Sequence, residues 1–272
     1  MALFRYFSPE GALCVLETGE LMVTPPKYLN DPFECRPVIK CKDSRGFARR
    51  KIDEIMTPEF FESHKSVLPV RAFEEYQGVL QRWDAVLSEL AVIGVAETDS
   101  HLQTVAQGII SEAWGVICFA ADDLDQKMWA HYASSHQGLV IEFRESHLLF
   151  SGPSFFPIQY SDEPVVLDAS SPIARDDIEL VLSRKRSQWS SEMESRLLVE
   201  LAVATARDPG QGLRYFIPIG PEIIVSVTLG LRANEQTRRR VIELLRAPQF
   251  AHVKVFKIRL NTETQTFERE PL

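Results

Sequence analysis

The sequence predicts an α+β protein in which a core sheet, or two facing sheets, carries a helical insertion. Short apolar or alternating runs typical of strands recur from LFRYF near the N-terminus to VKVFKIRL near the C-terminus. Segments with helical periodicity and capping residues lie between them. Residues from about 47 to 112 repeat apolar and charged side chains at helical spacing. We therefore expect a single α+β domain over 1–272, with a helical lobe inserted at about 47–112.

Local signals define the N-terminal elements. Residues 3–7 are aromatic and extended in character, which predicts a strand. Ser8 followed by Pro9 is a typical helix start, because the serine caps the helix and the proline fits its first turn. The helix is expected to run to about Glu17 and to end at Gly19.

A second predicted strand, LMVT, leads into the turn sequence LNDPFEC. Asn30 and Asp31 favour a turn because their side chains bond the nearby backbone, and Pro32 fixes its own φ. We expect this turn to form a rigid lip beside a cleft. In this interpretation Phe33 anchors the lip in the core, and Glu34 faces the site.

The second half of the chain alternates between the two kinds of element. WGVICFA and GLVIEF are predicted strands, DQKMWAHYASS is a short amphipathic helix between them, and Gly138 marks a turn. The remaining predicted elements are a strand at 155–160, a helix at 173–188, and then the strand SEMESRLLVEL, the strand EIIVSVTLG, the helix EQTRRRVIELL and the strand VKVFKIRL.

Composition narrows the function classes. A formal net charge of -8 and a pI near 5.4 argue against a protein that binds mainly by neutralising phosphates, so nucleic acid is an unfavoured partner. The four cysteines form no C-x-x-C pair and are expected to be reduced thiols. No secretory signal or membrane-spanning window is predicted, so we expect a cytoplasmic protein that does not use the membrane.

One candidate site lies in SEMESRLLVEL. Because strand side chains alternate between faces, Glu192, Glu194 and Arg196 would point to one side, with Met193 on the other. Two interpretations stay open. The three could form a solvated strand edge, or the carboxylates could act as acid, base or electrostatic stabiliser of a cationic transition state.

The segment MWAHYA is a second candidate. His131 and Tyr132 lie about one helical turn from Met128, so they could reach a site, although aromatic residues at this spacing also form packed helices. A metal site is disfavoured because no Cys or carboxylate stands at a zinc-ligand offset from both His131 and His136. Glu142 and Lys185 are weaker candidates that could simply cap or solvate their elements.

Five segments together resemble the bacterial domain of unknown function 2971 family, and the resemblance covers nearly the whole chain. Its most specific motifs are Asn-Asp-Pro-Phe-Glu, Met-Trp-x-His-Tyr-Ala and Trp-x-x-Glu-x-Glu-x-Arg. The segments are LFRYFS, GELMVTPPKYLNDPFEC, ICFAADDLDQKMWAHYASSHQGLVIEF, SQWSSEMESRLLVEL and PEIIVSVTLGLR.

The order of polar residues is also similar to that of ADP-ribosyltransferases, which implies a split-sheet fold and NAD as substrate. In this resemblance Arg5 holds the dinucleotide, and Thr24 follows on the next strand. Glu194 would bond the nicotinamide ribose and stabilise an oxocarbenium ion, while Glu192 helps the acceptor to attack. The further residues expected around the nucleotide are Asn30, Asp31, Phe33, His131 and Tyr132.

Three function hypotheses follow. The first is an ADP-ribosyltransferase-like enzyme that cleaves the nicotinamide–ribose bond of NAD without a metal and modifies an unknown macromolecule or small acceptor. The second is a non-catalytic sensing or interaction module of a bacterial defence or stress system, which recognises a nucleotide or another small polar ligand through His131, Tyr132 and Glu194. The third is a nucleic-acid-processing enzyme, which salt-dependent binding to DNA or RNA would favour.

Overall fold

A computed structural model describes residues 2–40, 43, 106–168, 174–208, 210 and 212–272. Its mixture of helices and several sheets confirms the α+β class. The predicted helical insertion at about 47–112 lies outside the described residues except at its end, where 106–113 are helical. Among the described residues, no helix is both long and apolar enough to cross a membrane.

The chain divides into two compact units. The first contains Met1–Cys35, Ile110–Glu163 and Leu182–Leu272, and the second contains Arg36–Ile109 and Pro164–Val181. The expectation of a single domain stays a prediction.

Fifteen strands and four named helices are the main regular elements of the described chain, besides the helical residues 106–113 and several 3₁₀ segments. The helices are α1 (Pro9–Thr18), α2 (Gln126–Tyr132), α3 (Arg175–Ser183) and α4 (Glu235–Leu245). The strands are β1 (Leu3–Phe7), β2 (Glu20–Val23), β3 (Val38–Lys40), β4 (Trp114–Phe119), β5 (Leu139–Phe143), β6 (Phe155–Pro157), β7 (Gln159–Tyr160), β8 (Val166–Asp168), β9 (Arg184–Lys185), β10 (Ser195–Glu200), β11 (Thr205–Arg207), β12 (Arg214–Pro218), β13 (Ile224–Leu229), β14 (Lys254–Asn261) and β15 (Thr266–Pro271).

The first unit is built on a five-stranded sheet in the order β1-β5-β13-β14-β15. All neighbours in it are antiparallel except β13 and β14, which are parallel. Two three-stranded antiparallel sheets, β4-β10-β6 and β11-β12-β2, accompany it. Backbone bridges from Phe4 to Ala120 and from Thr24 to Val116 join β4 to the β1 and β2 regions. These bridges bring β1 and β4 side by side. In the second unit β3 pairs with β8 in parallel.

Short-range sequence signals explain α1, α4 and the turn before β5, which were predicted correctly. Helix α1 begins after Ser8, whose side chain accepts from Gly11 N, and it ends at Gly19 in the left-handed region at φ 66°. Helix α4 coincides with EQTRRRVIELL and is capped by Asn234. Gly138 lies in the predicted turn before β5, where an added Cβ would clash with the Phe7 carbonyl oxygen.

Two apolar clusters cover the two faces of β1 and β5. The larger contains α1, β4 and a group of phenylalanines in which Phe119 makes edge contacts with Phe143 and Phe150. The smaller surrounds Trp129, which is fully buried in α2 and contacts Tyr6 edge-on. Burial of both faces explains why β1 and β5 read as nearly continuous apolar runs rather than alternating ones.

Three predicted elements need correction. The helix expected over 173–188 ends at Ser183, because Arg184 and Lys185 pair in parallel with β7 instead. The strand expected from Ser191 begins only at Ser195, because Ser187–Glu192 form a 3₁₀ segment that ends with Met193 at φ 43°. The strand expected over 155–160 is interrupted at Ile158, so β6 and β7 are separate.

Candidate functional site: a cleft over a buried charge cluster

A cleft of about 240 Å³ opens in the first unit where β1, β4, α2 and the start of β10 converge. Ligand pockets commonly measure about 300–1,000 Å³, so a cleft of this size holds only one end of a dinucleotide. One part of its lining is apolar and includes Phe4, Phe119 and Met128. The polar residues that line it are Arg5, Tyr6, Thr24, Tyr28, Asn30, Glu34, Cys118, Tyr132, Lys185, Glu192, Glu194 and Arg196.

The charged side chains beneath the cleft form one connected group, which we call the buried charge cluster: Glu34, Lys185, Glu192, Glu194 and Arg196. Each of these side chains is at most 7% exposed. If all five are ionised, three carboxylates face two cations and the cluster carries a formal charge of -1. Burial of so many charges is costly unless they are paired, and direct contacts join all five.

Lys185 lies between the two predicted carboxylates. Its Nζ is 2.6 Å from Glu192 Oε2 and 2.9 Å from Glu194 Oε2, so one ammonium donates to both. It also lies 3.7 Å from Glu34 Oε1 and 5.2 Å from the centre of the Trp189 ring. Burial alone lowers the pKa of Lys185, but Glu194 and Glu192 outweigh it and raise that pKa well above its ordinary value.

Arg196 anchors the other side of Glu194 and is fully buried. Its Nε donates to Glu194 Oε1 at 2.7 Å, its Nη1 donates to the Leu182 carbonyl at 2.7 Å, and its Nη2 pairs with Glu34. Burial lowers the pKa of Arg196 to about 9, which leaves the guanidinium charged at neutral pH. Burial also raises the pKa of Glu194, and Lys185 opposes part of that rise.

Tyr132 connects the lip to the cluster. Its hydroxyl accepts from Asn30 Nδ2 at 2.9 Å and donates to Glu192 Oε1 at 2.7 Å. Burial and the neighbouring Glu192 raise the pKa of Tyr132, so the hydroxyl keeps its proton for this bond. Both oxygens of Glu192 therefore accept a hydrogen bond, although each oxygen of an ionised carboxylate has a second acceptor site for a ligand.

Arg5 differs from the other cations of the cleft. Its Nη2 donates to the Met22 carbonyl at 3.3 Å, whereas the buried Nη1 has no hydrogen-bond partner among the described residues. Burial lowers the pKa of Arg5, while Cys118 and Glu194 act in the opposite direction. A guanidinium with a free buried donor is suited to bind an anionic or strongly accepting group of a ligand.

Cys118 lies in the cleft beside Glu194. Burial, followed by the charge of Glu194, raises the pKa of this thiol well above its ordinary value. A thiol that keeps its proton is a weak nucleophile. Cys118 therefore serves better as a donor to the cleft than as an attacking group.

Not every residue of the predicted site lines the cleft. Asp31 accepts from Trp189 Nε1 at 2.7 Å and from the Phe33 backbone N–H at 2.9 Å, so it shapes the turn. His131 is exposed and is not among the lining residues. The expectation that Phe33 anchors the lip in the core is wrong: its side chain is 66% exposed, and the Arg186 guanidinium lies over its ring.

The structure rules out one of the two interpretations of the late acidic segment, and the other stays a prediction. Glu192, Glu194 and Arg196 are buried, so the solvated strand edge is wrong. Strand alternation does not explain why the three charged side chains lie together. Glu192 belongs to the 3₁₀ segment rather than to the strand, and Met193 is half-exposed rather than directed to the core. Lys185, judged a weak candidate, is the residue that sequence reasoning undervalued, and no local pattern reveals its long-range contacts.

No described group of three or more His, Cys, Asp or Glu side chains has an arrangement that could hold a metal ion. Comparisons of the chain with protein-family models, with curated proteins and with solved structures give no match. The resemblances inferred from the motifs, and the chemistry they imply, therefore stay predictions.

Proposed function

We propose that this protein binds NAD in the cleft and cleaves its nicotinamide–ribose bond, passing ADP-ribose to water or to an unidentified acceptor. The observation that carries the proposal is the convergence of Arg5 with Glu192 and Glu194 on one cleft, from distant parts of the sequence. The proposal includes an ADP-ribosyltransferase-like split sheet, and the bridge between Phe4 of β1 and Ala120 next to β4 is consistent with it.

Arg5, Glu194 and Glu192 would each have a separate role in this reaction. The free Nη1 of Arg5 would bind the phosphate or a ribose oxygen of the dinucleotide. When the C–N bond to nicotinamide breaks, the bonding electrons go to the ring nitrogen, and positive charge develops on the ribose. Glu194, within a cluster whose formal charge is -1, would stabilise that charge. The attacking hydroxyl would then lose its proton to Glu192.

Substitution of Glu194 tests this proposal. Glu194→Gln removes the charge that acts in the transition state, so nicotinamide release from labelled NAD should fall by about a hundredfold or more, with nucleotide affinity nearly unchanged. Glu192→Gln should impair transfer to an acceptor more than hydrolysis. Glu200→Gln is the matched control, since Glu200 is exposed at the end of the same strand. Wild-type turnover that survives Glu194→Gln undiminished would remove this residue from the mechanism.

A specific observation favours a second candidate, a ligand-sensing module without turnover. Both carboxylates already accept charged hydrogen bonds from Lys185 or Arg196, an arrangement that also suits a rigid binding site. Incubation of the purified protein with labelled NAD and cell lysate separates the two. Release of nicotinamide supports the enzyme, whereas saturable nucleotide binding without release supports the sensor.

A further inference from the structure

Lys185 directs two of its three N–H donors to carboxylates inside the protein. An ammonium has three N–H donors. Two go to Glu192 Oε2 and Glu194 Oε2, while the remaining side of the group faces Glu34 and the Trp189 ring. The side chain is 4% exposed. It therefore contributes to the cleft mainly through the two carboxylates that it holds.

This geometry excludes the usual chemical roles of a buried lysine. A lysine that attacks a carbonyl or removes a proton needs an unprotonated amine, and burial in an apolar pocket would supply one by lowering its pKa. Here the carboxylates of Glu194 and Glu192 reverse the effect of burial and keep the pKa high. Lys185 stays protonated and acts as a fixed positive charge.

We infer that Lys185 is a positioning residue that fixes the carboxylates of Glu192 and Glu194 side by side at the cleft by placing one ammonium between them. The inference rests on the proposed function for its catalytic meaning. Two carboxylates that share a site repel each other, and without a cation between them one would take up a proton. A shared ammonium removes that conflict and leaves each carboxylate able to accept from a ligand.

Other groups also act on this pair, so the effect of Lys185 must be measured against them. Arg196 donates to Glu194 from β10, and Tyr160 of β7 accepts from the Glu194 backbone N–H. The further titratable or charged groups of the surrounding elements are Arg5 of β1, Asp31, Glu34 and Cys35 of the lip, Cys118 of β4 and Tyr132 of α2.

The pH profile of NAD cleavage tests the inference with Lys185→Met, which keeps the length of the side chain and removes its charge. The acid limb of kcat/KM should move to higher pH by about one unit or more, because the carboxylates lose a neighbouring cation. Lys185→Arg should return the limb toward the wild-type position. Lys257→Met is the control, since Lys257 pairs with Glu270 on the surface and its loss should leave the profile unchanged.

A second measurement is independent of turnover. Carbon-13 NMR of the glutamate carboxyls, assigned with Glu192→Gln and Glu194→Gln, should show at least one of the pair titrating at higher pH in Lys185→Met. If the wild type shows no NAD cleavage but this shift is present, the proposed function fails and the inference about Lys185 stands.

Other outcomes would overturn the inference. An acid limb or a carboxyl titration that is unchanged in Lys185→Met would show that Lys185 only packs. If the acid limb shifts equally in Lys185→Met and Lys185→Arg, lost packing rather than lost charge would explain the shift. If Lys185→Met does not fold, the double variant Lys185→Met/Glu192→Gln removes the repulsion, and its failure to recover folding would equally count against the inference.

Discussion

The buried charge cluster and the paired strands β14 and β15 use the same residue types in opposite settings. On β14 and β15, Lys257 and Glu270 pair at 3.2 Å, with their side chains 43% and 47% exposed. In the cluster, the corresponding contact of Lys185 with Glu192 is 2.6 Å, and the side chains are 4% and 7% exposed. Water screens the first pair, whereas protein atoms must satisfy the second. The same residue types thus form an exposed pair on β14 and β15 and line a cleft in the buried charge cluster.

The difference indicates why the cluster merits a functional interpretation. Replacement of a buried ion pair by apolar residues of similar volume is often neutral or stabilising, so stability alone does not explain five buried charges. A cleft beside them, and an Arg5 donor that has no partner within the described part of the chain, are the observations behind the proposal of ligand binding. The exposed pairs of β14 and β15 need no such explanation.

The largest expected effect comes from Arg196→Met. This change leaves Glu34 and part of Glu194 without their cation in the interior, so the free energy of unfolding should fall by about 3–5 kcal/mol. Denaturant unfolding measures the loss. Lys257→Met, the surface counterpart, should change it by less than about 1 kcal/mol. Equal losses of unfolding free energy in Arg196→Met and Lys257→Met would show that the buried charge cluster and the surface pair contribute alike to stability.

Sequence reasoning succeeded where local chemistry decides the structure. Ser8, Gly19 and Asn234 act within a few residues of their own positions, and α1 and α4 were predicted with nearly correct bounds. The strand β15 was not predicted, although its pairing with β14 completes the edge of the main sheet. Its sequence, TFEREP, holds a single buried apolar side chain, that of Phe267, among polar and charged residues, so its strand pattern is weak, and pairing with β14 stabilises it.

The site was harder to predict because its contacts depend on how separate elements fold against one another. Lys185 reaches Glu192 and Glu194 only because β9 pairs with β7 and the chain then folds back through a 3₁₀ segment. Helical periodicity over 173–188 predicted that Lys185 lies in a helix. The pairing of β9 with β7 outweighs this local preference. The glutamates and the arginine of the late acidic segment correctly indicated charges that lie close together. The predicted strand, in contrast, included Glu192, which belongs to the 3₁₀ segment.

A smaller effect is expected from Tyr132→Phe, which keeps the ring and removes the hydroxyl between Asn30 and Glu192. Loss of a hydrogen bond to a carboxylate should lower the free energy of unfolding by about 1–2 kcal/mol and weaken nucleotide binding. Calorimetric titration with NAD measures the affinity. Tyr28→Phe is the control, because Tyr28 also lines the cleft but is 60% exposed. An affinity that is unchanged in Tyr132→Phe would show that this hydroxyl does not contribute to recognition.

The smallest effect is expected from Glu268→Gln on β15, whose carboxylate accepts from Asn261 Nδ2 at 2.6 Å and pairs with Arg259. The hydrogen bonds from Asn261 and Arg259 hold the pKa of Glu268 below its ordinary value of 4.5. Because the folded state binds this proton less tightly than the unfolded state, the contribution of Glu268 to stability is present above pH 4.5 and is lost as the pH falls through the folded pKa. Thermal unfolding should therefore show a slight advantage of the wild type at neutral pH, which disappears in acid and in high salt. A difference that persists under either condition, or that approaches the loss in Arg196→Met, would mean that this exposed pair behaves like the buried charge cluster, and the contrast between the two regions would no longer hold.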